Sequence, residues 1–236
     1  MAGTLYIVPV PIGNLGDITQ RALSVLAQVD IIACEDTRTT RQLLKLLNIP
    51  PRQCISYHEH NEKQRAPLLI QQLLQNLDVA LVSDAGTPIL SDPGYVLVTQ
   101  AIEHNISVVP LPGPTAFVPA LIASGLPPVP FVFVGFPPHK KRRKKFLQHM
   151  LSFPATVVCY ESPHRLLKLL AELEHLGAGN RRACIARELT KYHEEFLRGS
   201  VRELHLLLQQ RSTIKGEVVV VLEGASKTAT GEADAP

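Results

Sequence analysis

The sequence predicts an α/β protein of two domains with mostly parallel or mixed sheets. Apolar, strand-like runs alternate with amphipathic, helix-like stretches along most of the 236 residues, and this alternation is typical of βαβ units. The proline-rich segment LPPVP at 126–130 interrupts it once. We therefore expect an N-terminal α/β domain over 1–122, a C-terminal α/β domain over 123–225, and a small, polar, disordered tail over 226–236.

The first half is predicted to form four strands and five helices. Asp17 and Gln20 have the spacing of a capping box before a helix, and Pro93 suits the first position of another helix. The predicted strands are TLYIVPVP, DIIACED, VALVSD and ISVVPLP. The predicted helices are ITQRALSVLAQV, TTRQLLKLLN, KQRAPLLIQQLLQNL, DPGYVLVTQAIEHN and TAFVPALIASG.

The second half repeats this alternation with four strands and three helices. The periodicity of apolar residues is close to 3.6 in the helices, whereas the strands are short apolar runs. The predicted strands are FVFVGF, ATVVCYE, RRACIARE and GEVVVVLEG. The predicted helices are KKRRKKFLQHML, PHRLLKLLAELEHLG and SVRELHLLLQQR.

Composition narrows the class of protein without fixing a function. The net charge is +3 and hydrophobic residues make up 45% of the chain, which is typical of a globular protein. No apolar run reaches the roughly 18 residues of a membrane span, and the start MAGTLYIVPVPIG lacks a signal-peptide pattern. We expect a cytoplasmic protein that makes no membrane contact. The stretch His58-Glu59-His60 is metal-like in composition, but no further ligand group accompanies it, so no metal is expected.

Three loops rich in Gly and Pro carry the strongest functional signal. Ligands of open α/β sheets bind outside the carboxyl ends of the strands, and each of these loops directly follows a predicted strand. Their small residues allow a ligand to approach the main chain, and we expect the three to converge on one crevice. The first of them matches neither G-x-G-x-x-G nor a Walker loop, and Asp84 could instead cap the next turn. The loops are PVPIGNLGD, SDAGTPILSDPG and PGPTA.

Charged stretches in the second half each leave two interpretations open. The block HKKRRKK at 139–145 is either a solvated helix start or a contact for nucleic-acid phosphates. Glu161 and Arg165 either form a structural ion pair or line a ligand site. The segment KYHEE, which begins at Lys191, is either a solvated loop or the edge of a site.

Taken in order, eight stretches between residues 4 and 224 resemble the tetrapyrrole-methylase-like family. The resemblance implies S-adenosylmethionine bound between two α/β domains of a homodimer. Family members that modify ribosomal RNA are the nearest match, and they imply 2′-O-methylation of a cytidine ribose in the decoding region of 16S rRNA, within the small ribosomal subunit. One departure is Pro9-Val10-Pro11, where Ala-Thr-Pro is frequent. The stretches are LYIVPVPIGNLGDIT, ACEDTRTT, SYHEHNE, ALVSDAGTPILSDPG, PLPGPTA, FVFVGFPP, YESPHR and KGEVVVVLEG.

The resemblance also implies site residues. A ribose hydroxyl is a very weak acid, so a general base or a cation would help it react; the candidates are Glu35, Asp36, His58, Glu59, Glu188 and Lys191. Of these we favour Lys191 and Glu188, which follow a predicted strand of the second half. The predicted cofactor contacts are Pro11, Asp84, Ala85, Gly86, Thr87, Ser91, Thr115, Ala116, Tyr160 and Glu161. The predicted RNA contacts are Asn14, Arg38, Lys140, Lys141, Arg142 and Arg143.

Two other functions compete with RNA methylation. A methyltransferase acting on a tetrapyrrole would share the family's loops, but its substrate carries carboxylates and needs no extended basic edge such as 139–145. A non-catalytic RNA-binding ribosome factor would bind RNA regardless of the cofactor. The loop compositions at 83–94 and 112–116 disfavour that factor, because a lost pocket has no reason to keep them.

Overall fold

A computed structural model describes residues 2–225 of the chain. It divides into two compact units, the first ending at Thr115 and the second beginning at Ala116. Each unit contains a five-stranded sheet with helices, so the predicted α/β class with parallel and mixed sheets is confirmed. The predicted tail over 226–236 lies outside the described residues.

The first unit is built on a parallel sheet with the strand order β3-β2-β4-β1-β5. Burial on both faces explains why the strands Ile31–Cys34 and Val79–Val82 are continuous apolar runs rather than alternating ones. Its strands are β1 (Thr4–Ile7), β2 (Ile31–Cys34), β3 (Gln53–Ser56), β4 (Val79–Val82) and β5 (Ser107–Pro110). Its helices are α1 (Gln20–Gln28), α2 (Thr37–Leu46), α3 (Glu62–Leu74) and α4 (Tyr95–Glu103).

Two helix starts differ from the prediction. Thr19 caps α1 by accepting a hydrogen bond from the Ala22 backbone N–H at 3.0 Å, whereas Asp17 ends a short 3₁₀ turn. The Asp17–Gln20 capping box is therefore wrong. Helix α4 begins only at Tyr95, since Gly94 occupies the cap position with φ 141°, and Pro93 stands before the helix rather than in it.

The edge strand β3 was not predicted from the sequence. Its four residues are exposed or half-buried, and among residues 2–225 it pairs with β2 alone. It follows two prolines that end the preceding helical stretch. A short edge strand without an apolar face leaves little periodic signal. The run VALVSD consequently forms the fourth strand of the unit, not the third.

The second unit is built on a mixed sheet with the order β6-β7-β10-β8-β9. The strands β6 and β7 are parallel, and the remaining pairs are antiparallel. Its strands are β6 (Phe131–Phe133), β7 (Thr156–Glu161), β8 (Arg182–Arg187), β9 (Glu195–Ser200) and β10 (Val218–Leu222). Its helices are α5 (Phe117–Ile122), α6 (Arg143–Ser152), α7 (Pro163–Leu173) and α8 (Val201–Gln209).

The antiparallel edge strand β9 also escaped prediction. It pairs with β8 over six residue pairs, and its residues are half-buried or exposed. The sequence EFLRGS combines charge, Gly and only two apolar residues, so nothing in its pattern distinguishes a strand from a loop. The segment KYHEE covers the end of the connection between β8 and β9 and the first residue of β9.

Buried aliphatic side chains form the cores of both units. Two clusters include residues of the first sheet, and one large cluster is made by strands and helices of the second unit. The four cysteines are free thiols, and Cys34, Cys159 and Cys184 are buried among these apolar residues. Within residues 2–225, no helix has both the length and the apolar character that crossing a bilayer requires.

Candidate functional site

The three Gly/Pro-rich loops of the first unit contact one another directly. Val10, after β1, and Gly86, after β4, form a two-way backbone bridge with N–O distances of 2.9 and 3.0 Å. The Thr87 hydroxyl donates a hydrogen bond to the carbonyl oxygen of Pro114, after β5, at 2.8 Å. The predicted convergence of these loops is therefore confirmed, and its cause is the strand order β4-β1-β5, which makes the three strands neighbours.

The β4 loop holds an unusual backbone conformation over residues 86–94. Positive φ angles occur at Gly86 (77°), Ile89 (76°), Ser91 (79°) and Gly94 (141°). A β-branched residue such as Ile89 is strained there, and strain of this kind persists only where the surrounding structure enforces it. The loop displays Asp84, Ala85 and Ser91 to solvent.

Three carboxyl groups gather at the ends of β2 and β4. The Asp84 carboxylate accepts a hydrogen bond from the Asp36 backbone N–H at 3.2 Å, which ties the two strand ends together. Burial, followed by the charge of Asp84, raises the pKa of Glu35, against the opposing effect of His58. Burial, followed by the charges of Glu35 and Asp84, raises the pKa of Asp92 to about 6 despite a hydrogen bond from Ser83.

Asp92 was missed by the sequence analysis. Its neighbours Pro93 and Gly94 identify a turn, and a carboxylate in a turn is usually solvated. Its significance comes from the positions of Glu35 and Asp84, and Glu35 lies 57 residues away along the chain. Among the described residues, none of these three carboxylates forms an ion pair with a Lys or Arg side chain.

We expect Asp92→Asn to stabilise the fold at pH 8 and to lose most of that advantage as the pH falls to 4. The folded-state pKa of about 6 exceeds the value of about 3.9 in an unfolded chain, so the folded protein binds this proton more tightly. The ionised carboxylate therefore opposes folding above pH 6, and the opposition fades below that pH. Urea unfolding of both proteins across this range measures it. A difference that does not change with pH would contradict the prediction.

A buried ion network lies at the carboxyl end of β7 in the second unit. The Arg143 side chain, 4% exposed, donates to Glu161 at 3.2 Å and to Glu172 at 2.7 Å. Arg165 donates to Glu161 at 2.7 Å, as the structural interpretation of that pair predicted. The Glu161 carboxylate also accepts the Ser162 backbone N–H at 2.8 Å. Its side chain is thus fully engaged in holding the end of β7, and a cofactor contact by Glu161 would use its backbone.

Burial of Arg143 corrects its assignment as an RNA contact. The sequence shows one continuous basic block, but α6 begins at Arg143 and turns this side chain inward toward two carboxylates. Arg142, which precedes the helix with φ 63°, and Lys140 and Lys141 remain exposed. The exposed basic surface therefore consists of Lys140, Lys141, Arg142, Lys144 and Lys145.

Lys191 and Glu188 contact each other at the end of β8. The Lys191 ammonium lies 2.9 Å from the Glu188 carboxylate and 3.2 Å from that of Glu217. Burial opposes the charge of Lys191, but the hydrogen bond that Lys191 donates to Glu188 and the charge of Glu217 outweigh it and raise the pKa of the lysine. The Glu217 backbone N–H and Lys191 lower the pKa of Glu188. Lys191 is thus held as a cation and cannot serve as a general base near neutral pH.

The two predicted RNA contacts of the first unit, Asn14 and Arg38, both lie at the surface. Asn14 is exposed and its side chain accepts the Gly16 backbone N–H at 2.9 Å, and Arg38 is exposed and paired with Asp36 at 2.7 Å. Both stay predictions as RNA contacts. In the part of the chain that the structure describes, no three His, Cys, Asp or Glu side chains are placed to hold a metal ion.

The fold and the converging loops define an α/β protein with a candidate ligand site at the carboxyl edge of a parallel sheet. That site is lined by backbone and small residues, and it carries excess negative charge from the carboxylates after β2 and β4. The chain belongs to the family Tetrapyrrole (Corrin/Porphyrin) Methylases, whose sequence profile matches residues 4–205. The family resemblance seen in the sequence is confirmed.

Curated relatives agree with the narrower resemblance to RNA-modifying members. The chain is 48% identical to Ribosomal RNA small subunit methyltransferase I of Micromonospora olivasterospora, over 98% of this chain and 74% of that protein. It is 50% identical to the protein of the same name from Vibrio cholerae, over 94% of this chain and 78% of that protein. Each alignment spans nearly all of this chain, including both units.

Solved structures share the fold at low sequence identity. Uroporphyrin-III C-methyl transferase from Thermus thermophilus, complexed with S-adenyl homocysteine, has a TM-score of 0.63 and 18% identity over 93% of this chain and 97% of that chain. Diphthine synthase has a TM-score of 0.70 and 14% identity, with 94% and 90% covered. At these identities the likeness shows the fold alone.

Proposed function

We propose that the chain is a methyltransferase that uses S-adenosylmethionine to methylate a cytidine ribose 2′-hydroxyl in the decoding region of 16S rRNA. The observation that carries this proposal is the identity of 48–50% over at least 94% of the chain to proteins named Ribosomal RNA small subunit methyltransferase I. An assembled small subunit as substrate, a homodimer and a cytoplasmic location are parts of the proposal.

The residues of the first unit suit the cofactor in charge and shape. S-adenosylmethionine supplies an electrophilic methyl group on a sulfonium when bound, and it also carries an amino group. Glu35, Asp84 and Asp92 provide negative charge that no described Lys or Arg neutralises. Gly86 belongs to the proposed set as the residue that joins this loop to Val10. Charge, backbone and small side chains together favour a cationic ligand that is bound largely by main-chain atoms. Pro11, Ala85, Thr87, Ser91, Thr115, Ala116, Tyr160 and Glu161 complete the proposed set.

Lys191 has the character of a polarising cation. Its ammonium can donate to the ribose oxygen as that oxygen loses its proton, and Glu188 and Glu217 hold the ammonium in place. Positioning the hydroxyl against the methyl group would supply most of the rate. Glu35 stays a candidate proton acceptor, because its raised pKa makes it a better base than an ordinary Glu.

The alternatives fit the chain less well. A tetrapyrrole carries carboxylates but does not need a basic edge as extended as the five exposed cations of 140–145, and the fold is common to enzymes of several substrates. A non-catalytic factor would not need strained backbone at Ile89 and Ser91 in a loop that displays carboxylates. Both alternatives remain as outcomes of the experiment below.

We expect calorimetric titration to show micromolar binding of S-adenosylmethionine, weakened roughly tenfold or more by Asp84→Ala, since hydrogen bonds to charged groups contribute about 1.5–3 kcal/mol. Asp30→Ala is a matched control, because Asp30 likewise accepts a backbone N–H, from Asp78 at 2.8 Å, but stands before β2 at the opposite edge of the sheet. Equal binding by both variants would remove Asp84 from the site.

Methyl transfer to unmodified small ribosomal subunits then tests the reaction. We expect labelled methyl on a cytidine ribose of 16S rRNA and none on uroporphyrinogen offered in parallel. Label on uroporphyrinogen alone would establish the tetrapyrrole alternative. Cofactor-independent RNA binding without transfer would establish the binding factor.

A further inference from the structure

Phe136 presents an aromatic ring to solvent from a fixed backbone. The residue is 51% exposed and follows the edge strand β6 after Gly135, which turns the chain with φ 64°. The Gly135 carbonyl accepts the Tyr160 backbone N–H at 3.0 Å, so the turn is tied to the end of β7. A large apolar side chain held out in this way is not explained by core packing.

Other rings support Phe136 from behind. Its ring centroid lies 5.3 Å from that of Tyr160, with the planes tilted by 56°. Tyr160 meets Phe133 edge-on at 4.9 Å, and Phe133 stacks on Phe117 at 4.6 Å. Packing against these rings therefore fixes the orientation of the Phe136 ring. Less side-chain entropy is lost when a partner stacks on its outer face.

A surface of unpaired cations begins four residues after Phe136. No ion pair or side-chain hydrogen bond among residues 2–225 involves Lys140, Lys141, Arg142, Lys144 or Lys145. Lys144 and Lys145 lie in the first turn of α6, where no acidic residue offsets them and where the helix dipole disfavours positive charge. Helix stability therefore does not account for these lysines, whereas an anionic ligand would.

An exposed ring that is followed within four residues by unpaired cations matches single-stranded nucleic acid better than a protein partner. Bases stack on aromatic side chains while Lys and Arg contact the backbone phosphates. Lysine, by contrast, is depleted at protein–protein interfaces. The combination favours an unpaired stretch of RNA, where bases are free to stack.

We propose that an unpaired nucleotide of the RNA substrate stacks on Phe136 while neighbouring phosphates contact the cations between Lys140 and Lys145. This inference rests on the proposed function and deepens it. Because the Phe136 ring touches that of Tyr160, a proposed cofactor residue, the stacked base is the target cytidine or one close to it. Phe136 is then a positioning residue that selects unpaired over paired RNA.

The chain contains no tryptophan, so Phe136→Trp places a single indole fluorophore at the stacking position. We expect a ten-nucleotide oligocytidine RNA to quench its emission strongly, and inorganic polyphosphate, which offers phosphates without bases, to bind the same lysines without quenching. Phe131→Trp is the matched control, since Phe131 is 40% exposed at the other end of β6. Quenching of both variants alike, or of neither while the RNA binds, would overturn the inference.

Affinity provides a second readout that does not depend on fluorescence. Loss of a stacked base weakens binding by about 5- to 150-fold, so Phe136→Ala should bind the oligonucleotide at least roughly fivefold more weakly, whereas Phe136→Tyr should bind as the original protein does. If Phe136→Ala fails to fold, Phe136→Leu replaces it. An emission change that tracks protein concentration without RNA would assign the ring to a contact with a second copy and overturn the proposal.

The failure of this inference differs from failure of the proposed function. If the unaltered protein methylates small subunits and the Phe136 variants match it in affinity and rate, only the stacking role is wrong. If the unaltered protein neither binds RNA nor transfers methyl groups, the proposed function itself is wrong.

Discussion

Replacing Arg143 with methionine should lower the free energy of unfolding by about 3–5 kcal/mol, the cost of breaking a buried ion pair from one side. The substitution leaves the Glu161 carboxylate, whose side chain is fully buried, with only Arg165 and one backbone N–H as partners. It also leaves the Pro138 carbonyl without the hydrogen bond that Arg143 donates at 3.0 Å. Urea unfolding at pH 7 measures the loss.

Two further variants test the cause of this loss. Arg142→Met makes the same substitution one residue earlier on an exposed side chain, and we expect a change within about 0.5 kcal/mol. Adding Glu161→Gln to Arg143→Met should restore part of the stability, because a neutral amide needs no cation. Equal effects of Arg142→Met and Arg143→Met would show that the buried ion network of Arg143 contributes nothing to the free energy of unfolding.

Replacing Lys191 with methionine should lower the single-turnover rate of methyl transfer by about 100-fold or more, with S-adenosylmethionine binding unchanged. The reason is that Lys191, with its raised pKa, would stabilise the developing ribose oxyanion as a cation. Lys191→Arg keeps the charge and should retain most of the rate. Rapid-quench measurements on saturated enzyme separate this step from binding.

The pH dependence distinguishes a cation from a base at this position. A residue that acts as a cation changes the height of the pH–rate profile but not its shape. The profile of Lys191→Met should therefore be lower than that of the original protein and have the same shape. Glu188→Gln should have a smaller effect on the rate, since the lowered pKa of Glu188 makes it a poor proton acceptor and its main contact is with Lys191. Full single-turnover activity in both Lys191→Met and Glu188→Gln would remove the pair from the catalytic assignment. Unfolding curves of both variants check that the hairpin connection is intact.

Local sequence patterns were sufficient where neighbouring residues decide the structure. Val79–Val82, followed by SDAGTP, identifies a buried strand that ends in an open loop, because apolar runs and Gly/Pro punctuation act over a few residues. The patterns failed at β3 and β9, since short edge strands without an apolar face differ little from loops. They also misplaced the start of α1, where Thr19 rather than Asp17 supplies the cap.

The sequence by itself determined the α/β class, the convergence of the strand-end loops and, through eight stretches spread over the chain, the family. Only the tertiary structure decided that Arg143 is a buried anchor inside a basic block, that the charges of Glu35 and Asp84 act on Asp92, and that Lys191 is a fixed cation. Each of these depends on partners that are distant in sequence. Burial and charge are properties of the neighbours in space, and the strand order that selects those neighbours is not written in any single segment.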